Sequence, residues 1–230
     1  MAKTLIIFGY GSGISAAMAR HFGREGFAVA LVARNEKRLA TAVADLQAMG
    51  ITAQAFAADL AEMAAAQSVV GKVRSAMGNI NVLHWNAYTD IEGSLLDTPA
   101  ATLQESLNVR VVSFIAAVQA ALPDLQASGG AVLATGGIMA QDLPAINDFA
   151  QNLGALAVSV AAQHKATALL SRSLAPHGVY AGEIIVNGFV HGSAGAAGET
   201  ASVYPADVAE RFWQMYCQRS SAVEIIGAMV

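Results

Sequence analysis

Charge is scarce in this chain. Charged residues make up 13% of its positions against 55% hydrophobic ones, a balance that suits elements buried on both faces. Despite that apolar bias, no uninterrupted run reaches the roughly 18 residues of a membrane span. The opening "MAKTLIIFGYGSG" has no long apolar segment followed by a small-residue cleavage site, so no secretory leader is expected. A single cysteine, Cys217, excludes an internal disulfide and fits a reducing compartment; it reads as a packed residue of a C-terminal helix. Net charge is −4 with no basic tract, which argues against nucleic acid as a partner. No His/Cys cluster has metal-ligand spacing, and the serine-hydrolase elbow G-x-S-x-G is absent. These absences leave a cytoplasmic globular protein with no metal, no membrane and no nucleic acid.

What is present is an alternation. Short apolar runs ("TLIIF", "AVALV", "AQAFA", "NVLHW", "AVLAT", "YAGEIIV") are separated by longer amphipathic segments, and a last run, "AVEIIGAMV", closes the chain. Such alternation predicts βαβ units, with a parallel sheet covered by helices on both faces. No Pro/Gly-rich linker, low-complexity segment or repeat divides the chain, so residues 1–230 are expected to form a single α/β domain. Two loops, "TDIEGSLLDTP" and "VHGSAGAAGETASVYP", follow the carboxyl ends of predicted strands, where open α/β sheets bind ligands. The second is rich enough in Gly and Ala to act as a lid.

Between the first strand and the first helix stands "FGYGSGIS". Glycines there let the backbone turn tightly and approach a pyrophosphate favoured by the helix N-terminus. The spacing is G-x-x-x-G (Gly9, Gly13), with Ile14 where G-x-G-x-x-G would place its third glycine and Ser15 just beyond. After the second strand, an acidic residue about 20 positions on would bind the ribose hydroxyls of NAD. Here Ala33 and Arg34 occupy that place. A guanidinium can grip a 2′-phosphate by paired hydrogen bonds, so Arg34 argues for NADP(H), with NAD(H) the second choice.

Taken together, "GYGSGI", "AADL", "WNAY", "LNVR", "ATGG" and the helix at residues 159–178 resemble the short-chain dehydrogenase/reductase family, over nearly the whole chain. The resemblance implies a Rossmann-like, doubly wound single domain that assembles as a homodimer or homotetramer. It implies a diphosphate loop of Gly9, Ser12, Gly13 and Ile14, and an adenine contact at Asp59 and Leu60. Asn86 and Ala87 match the middle of an Asn-Asn-Ala-Gly motif, flanked here by Trp85 and Tyr88. Asn108 is implied to hold a water of the proton relay. "NGFVHGS", containing Val190, matches the segment beside the nicotinamide, with Asn187 in place of a proline. The dimer interface would use the Ala-rich faces "SFIAAVQAAL" and "GALAVSVAAQ".

The family's catalytic helix carries Tyr-x-x-x-Lys. Ala161, Lys165, Ala168 and Leu169 stand at helical spacing and read as its interior face, which makes Lys165 the family lysine, implied to bind the nicotinamide ribose. Ala161 then stands where the tyrosine belongs, and Gly136 and Gly137 where the serine belongs. The interval between these landmarks is longer than the resemblance implies, with the extra residues within "INDFAQNLGALAV". The T-G-G pattern is similar to a divergent bacterial branch of the family. Substitute proton donors are Tyr88, His191, Ser193 and Lys165 itself; His164 should face elsewhere on the helix, and Asp142 and Asp148 read as loop carboxylates. The expected activity is NADP(H)-dependent oxidation or reduction of a small alcohol or carbonyl through an altered proton relay, with Lys165, Asn108 and Tyr88 as catalytic residues. The alternative is a catalytically inactive NADP(H)-binding sensor or partner subunit.

Overall fold

A computed structural model describes residues 2–228; the ends of the expected domain, Met1 and residues 229–230, lie outside the described residues. Each apolar run forms a strand: β1 (Thr4–Phe8), β2 (Ala28–Ala33), β3 (Ala53–Ala57), β4 (Ile80–Trp85), β5 (Ala131–Gly137) and β6 (Tyr180–Val186). A two-stranded piece, β7 (Phe189–Val190) and β8 (Ala201–Val203), precedes the closing strand β9 (Val223–Ile226). The main sheet has the order β3-β2-β1-β4-β5-β6-β9, every pair parallel. Every residue of β1 is buried, as expected of a central strand covered on both faces.

The helices are α1 (Ile14–Arg24), α2 (Glu36–Ala48), α3 (Met63–Met77), α4 (Ala100–Leu107), α5 (Ser113–Ser128), α6 (Pro144–Ala150), α7 (Gly154–Leu174) and α8 (Pro205–Gln218). One apolar core joins α1, α2 and α8 to the sheet through Met18, Phe22, Leu39, Leu46 and Phe212; the other, on the opposite face, contains Val69, Val73, Phe114 and Leu174. This is the doubly wound arrangement that the alternation predicts. Asn35 starts α2 by accepting a hydrogen bond from the Arg38 amide, the usual satisfaction of a free helix N–H.

Three features depart from the sequence reading. Helix α6 was not foreseen as an element, and it takes up part of the lengthened interval. Cys217 is exposed on α8 rather than packed. A five-residue π-helical turn, Asn108–Val112, joins α4 to α5. The resulting stretch Ala100–Ser128 is long and apolar enough, by length and composition, to cross a membrane. Half of its most apolar window is buried inside the protein, where α5 packs on β4 and α3.

Candidate active site

Strand order reverses between β1 and β4, and a switch point of this kind opens a crevice at the carboxyl ends of the strands. A cleft of about 780 Å³ lies there. The glycine turn forms its floor. Gly9 has φ +79°, and a β-carbon on it would overlap the Ala87 backbone at the end of β4, so only glycine allows the turn to come this close. Two side chains tie the approach: Asn86 Nδ2 donates to Ser15 Oγ at 2.8 Å, and Ser15 Oγ donates to the Gly9 carbonyl at 3.0 Å. Helix α1 then begins at Ile14 with Gly13 as its N-cap and no side chain capping it. Its first amides therefore face the cleft as an anion site.

At one end the cleft is lined by Ala33, Arg34, Asn35 and Arg38, with Asp59 and Leu60 beside them. Asp59 Oδ1 also accepts from the Ala61 amide at 3.0 Å, which fixes the turn after β3. The loop after β6 supplies Val190 and Ser193 to the lining. Ser12 Oγ donates to the Gly192 carbonyl at 2.8 Å, and His191 stacks on Tyr204 with ring centroids 4.2 Å apart. His191 thus packs on Tyr204 and is not among the residues that line the cleft.

The opposite end gathers Tyr88, Arg110, Thr135 and Gly136. Arg110 is 7% exposed; Nη1 donates to Gln163 Oε1 at 3.0 Å, and Gln163 Nε2 donates to the Thr135 carbonyl at 2.9 Å. The Tyr88 ring covers the guanidinium at 5.3 Å. Burial pulls Arg110 down to about 10, against the raising effect of Tyr88 and Glu183, which leaves it charged at neutral pH. Burial and then Asp90 push the Tyr88 phenol up, with Arg110 opposing, so Tyr88 is a neutral hydrogen-bond donor. Behind Gly136 lies Glu183, fully buried on β6, with Oε2 2.6 Å from His164 Nδ1. Burial raises the Glu183 carboxyl, offset in part by the His164 hydrogen bond and by the charges of His164 and Arg110. On the other face of the sheet, His84 Nε2 lies 3.0 Å from Thr135 Oγ1, and burial lowers this histidine to about 3.

Gly9, Ser12, Gly13, Ile14, Arg34, Asp59, Leu60, Asn86, Ala87, Tyr88 and Val190 all line the cleft. Lys165 and Asn108 do not, and both expectations are corrected. The buried stripe of α7 is Leu156, Ser159, Val160, Gln163 and Thr167; Ala161, Lys165 and Leu169 form the exposed stripe. Val160 is the α7 residue that faces Gly137, its Cγ1 3.7 Å from where a β-carbon there would stand. Asn108 opens the π turn, whose register turns Val109 and Arg110 inward instead. His164, expected to point elsewhere, is the α7 side chain that reaches Glu183. Asp142 and Asp148 are exposed, as expected. Sequence reasoning missed Arg110, Gln163 and Glu183; the signal available was a carboxylate in the middle of the otherwise apolar "YAGEIIV".

Comparison with known proteins agrees with this architecture. The family model for short chain dehydrogenases matches residues 3–193, and the chain belongs to that family. A short chain dehydrogenase of Pseudocercospora fijiensis is 31% identical over 186 residues, 77% of this chain and 60% of the relative. A short chain dehydrogenase from Burkholderia cenocepacia, solved in complex with NADP, is 28% identical with a TM-score of 0.85 over 98% of this chain and 96% of that one. A short-chain dehydrogenase/reductase from Serratia marcescens shares the fold, with a TM-score of 0.87 at 22% identity over 97% and 96% of the two chains. The chain spans between 49% and 60% of the length of the curated relatives it matches.

Proposed function

We propose that the protein is an NADP(H)-dependent oxidoreductase acting on a small carbonyl or alcohol, with a proton relay different from Tyr-x-x-x-Lys. The observation that carries the reading is the cleft itself: an uncapped helix N-terminus at the switch point, with Arg34 and Arg38 lining one end and Tyr88 and Arg110 the other. The same family and a relative solved with NADP support it. The residues present fit a dinucleotide. Gly9, Ser12, Gly13 and Ile14 would hold the diphosphate at the α1 N-terminus. Arg34 would hold a 2′-phosphate, Asp59 and Leu60 the adenine, and Asn86, Ala87 and Val190 the nicotinamide half. Bound nicotinamide supplies or accepts a hydride.

At the substrate end, Tyr88 donates a hydrogen bond to the substrate oxygen, and the Arg110 charge favours the negative charge that grows there. A charge already fixed in a water-poor site needs no reorganisation when the reaction occurs. The outer faces of α5 and α7, with Val158 and Leu169 exposed on α7 and Val112 exposed on the turn just before α5, would pair two or four copies; sedimentation showing only monomer at micromolar concentration counts against that assembly.

The test is an equilibrium titration with NADPH and NADH, followed by turnover on a panel of carbonyls and alcohols. NADPH should bind in preference to NADH, and Arg34→Asp should remove the preference. Binding of neither nucleotide overturns the reading; binding without turnover of any substrate reduces it to a cofactor-binding protein.

A further inference from the structure

We propose that Glu183 and His164 hold the proton that carbonyl reduction consumes, drawn from water at the exposed edge of His164 and presented to the cleft at Gly136. This inference rests on the oxidoreductase reading above and adds a proton source to it.

The two carboxyl oxygens of Glu183 have different surroundings. Oε2 is held 2.6 Å from His164 Nδ1. Oε1 is buried with no hydrogen-bond partner among the described residues and lies against Gly136, so close that a β-carbon there would overlap it. Gly136 lines the cleft. His164 has a quarter of its side chain exposed (26%) while Glu183 has none, so the pair runs from solvent to the cleft wall. The charged groups that meet Glu183 are His164 from α7 and Arg110 from the π turn. Arg110 also lines the cleft, and its Nε is buried without a hydrogen-bond partner among the described residues. A carboxylate buried this deeply needs its two cations; with a proton instead, it becomes an acid beside the substrate end.

The proton balance is as follows. A hydride added to the carbonyl carbon forms a C–H bond and leaves the carbonyl π electrons on oxygen. That oxygen takes the proton from Glu183 Oε1. The carboxylate recovers a proton from the Nδ1 of protonated His164, and the imidazole regains its own from water. One proton leaves solvent per carbonyl reduced, and alcohol oxidation runs the same steps backwards.

The consequence can be read without a substrate. The ring of the oxidised cofactor carries a positive charge that the reduced ring lacks. A unit positive charge brought near a buried carboxyl would lower its proton affinity, by roughly tenfold to a hundredfold. Binding of NADP⁺ should therefore release protons that binding of NADPH does not. The experiment is calorimetric titration of the purified protein with each nucleotide, in pairs of buffers of different ionisation heat across about pH 6 to 8. Wild type should release a measurable fraction of a proton per site with NADP⁺ only. Glu183→Gln, which keeps the side-chain shape, should bind both nucleotides and release none. His164→Asn, which can still donate to Glu183 but removes one of its facing cations, should leave the carboxyl holding its proton to higher pH and so move the release upward in pH. Equal release by wild type and Glu183→Gln overturns the proposal, as does wild-type binding without release. Should Glu183→Gln not fold, release by His164→Asn with the same pH dependence as wild type overturns it. Wild-type protein that binds neither nucleotide fails at the isotherm itself, which marks the functional reading as the one at fault.

Discussion

Glu183 Oε1 occupies the space that a side chain at Gly136 would need. The two residues sit on neighbouring strands, β6 and β5, offset by two along the ladder: Glu183 pairs with Ala134, and Gly136 with Ile185. Residues two apart share a face of a sheet, so the carboxyl passes over Ala134 and ends beneath the glycine. Gly136 is one of the two glycines at the place where the family resemblance implies a serine. The missing side chain at 136 and the buried acid on β6 are thus one structural fact, seen from two strands.

Gly136→Ala should therefore be destabilising, while the same change with Glu183 shortened should not. Overfilling a packed interior typically costs about 1–3 kcal/mol. In Gly136→Ala/Glu183→Ala the new methyl takes up space that the carboxyl has left, so the two changes should couple rather than add. A double-mutant cycle by denaturant unfolding measures this. Additive effects would show that the two side chains do not compete for space.

Lys165→Ala should leave nucleotide affinity unchanged. Its side chain is on the exposed stripe of α7, away from the residues that line the cleft. The resemblance to Tyr-x-x-x-Lys implies the opposite, a loss of binding. A nucleotide titration of the variant decides between the two; weakened NADPH binding would return Lys165 to the cofactor site.

The sheet was legible because its strands are short apolar runs, the central ones almost wholly buried, and the glycine turn because it sits between the first strand and helix. Helix α7 was misread for a physical reason. Its buried stripe is partly polar (Ser159, Gln163 and Thr167), and these side chains satisfy one another and the backbone, as when Ser106 Oγ donates to Ser159 Oγ at 2.8 Å. Hydrophobic periodicity therefore favours the wrong stripe, the one holding Ala161, Lys165 and Leu169. The π turn at Asn108–Val112 is equally hard to read, since an i→i+5 turn shifts the facing residue without any residue type that marks it. Glu183 needed knowledge of its neighbour across the sheet.

Gly9→Ala should weaken both the fold and the nucleotide site. The position combines φ +79° with a backbone contact to Ala87. A left-handed conformation costs a non-glycine residue about 1–3 kcal/mol, and here the overlap with Ala87 adds to it. The turn would have to lift from the end of β4, carrying the α1 N-terminus with it. Denaturant unfolding and an NADPH titration should both move; unchanged affinity would separate the turn from the binding site.

Stability should fall on mild acidification, and His84 should account for a large part of the fall. Its ring is fully buried, stacked edge-on against Phe212, and burial holds it at about 3 against about 6.5 in an unfolded chain. Between these values the unfolded state binds the extra proton, so stability rises with pH in that window. The contribution is complete above about pH 6.5 and is lost progressively towards pH 3. At the linkage slope of about 1.4 kcal/mol per pH unit, going from pH 6.5 to pH 5 costs about 2 kcal/mol. His84→Gln keeps a hydrogen-bonding partner for Thr135 Oγ1 and has nothing to titrate. Guanidinium unfolding at pH 7 and pH 5 should show the wild type losing stability and the variant losing clearly less. Equal losses would mean that other groups, not the buried imidazole, carry the acid sensitivity.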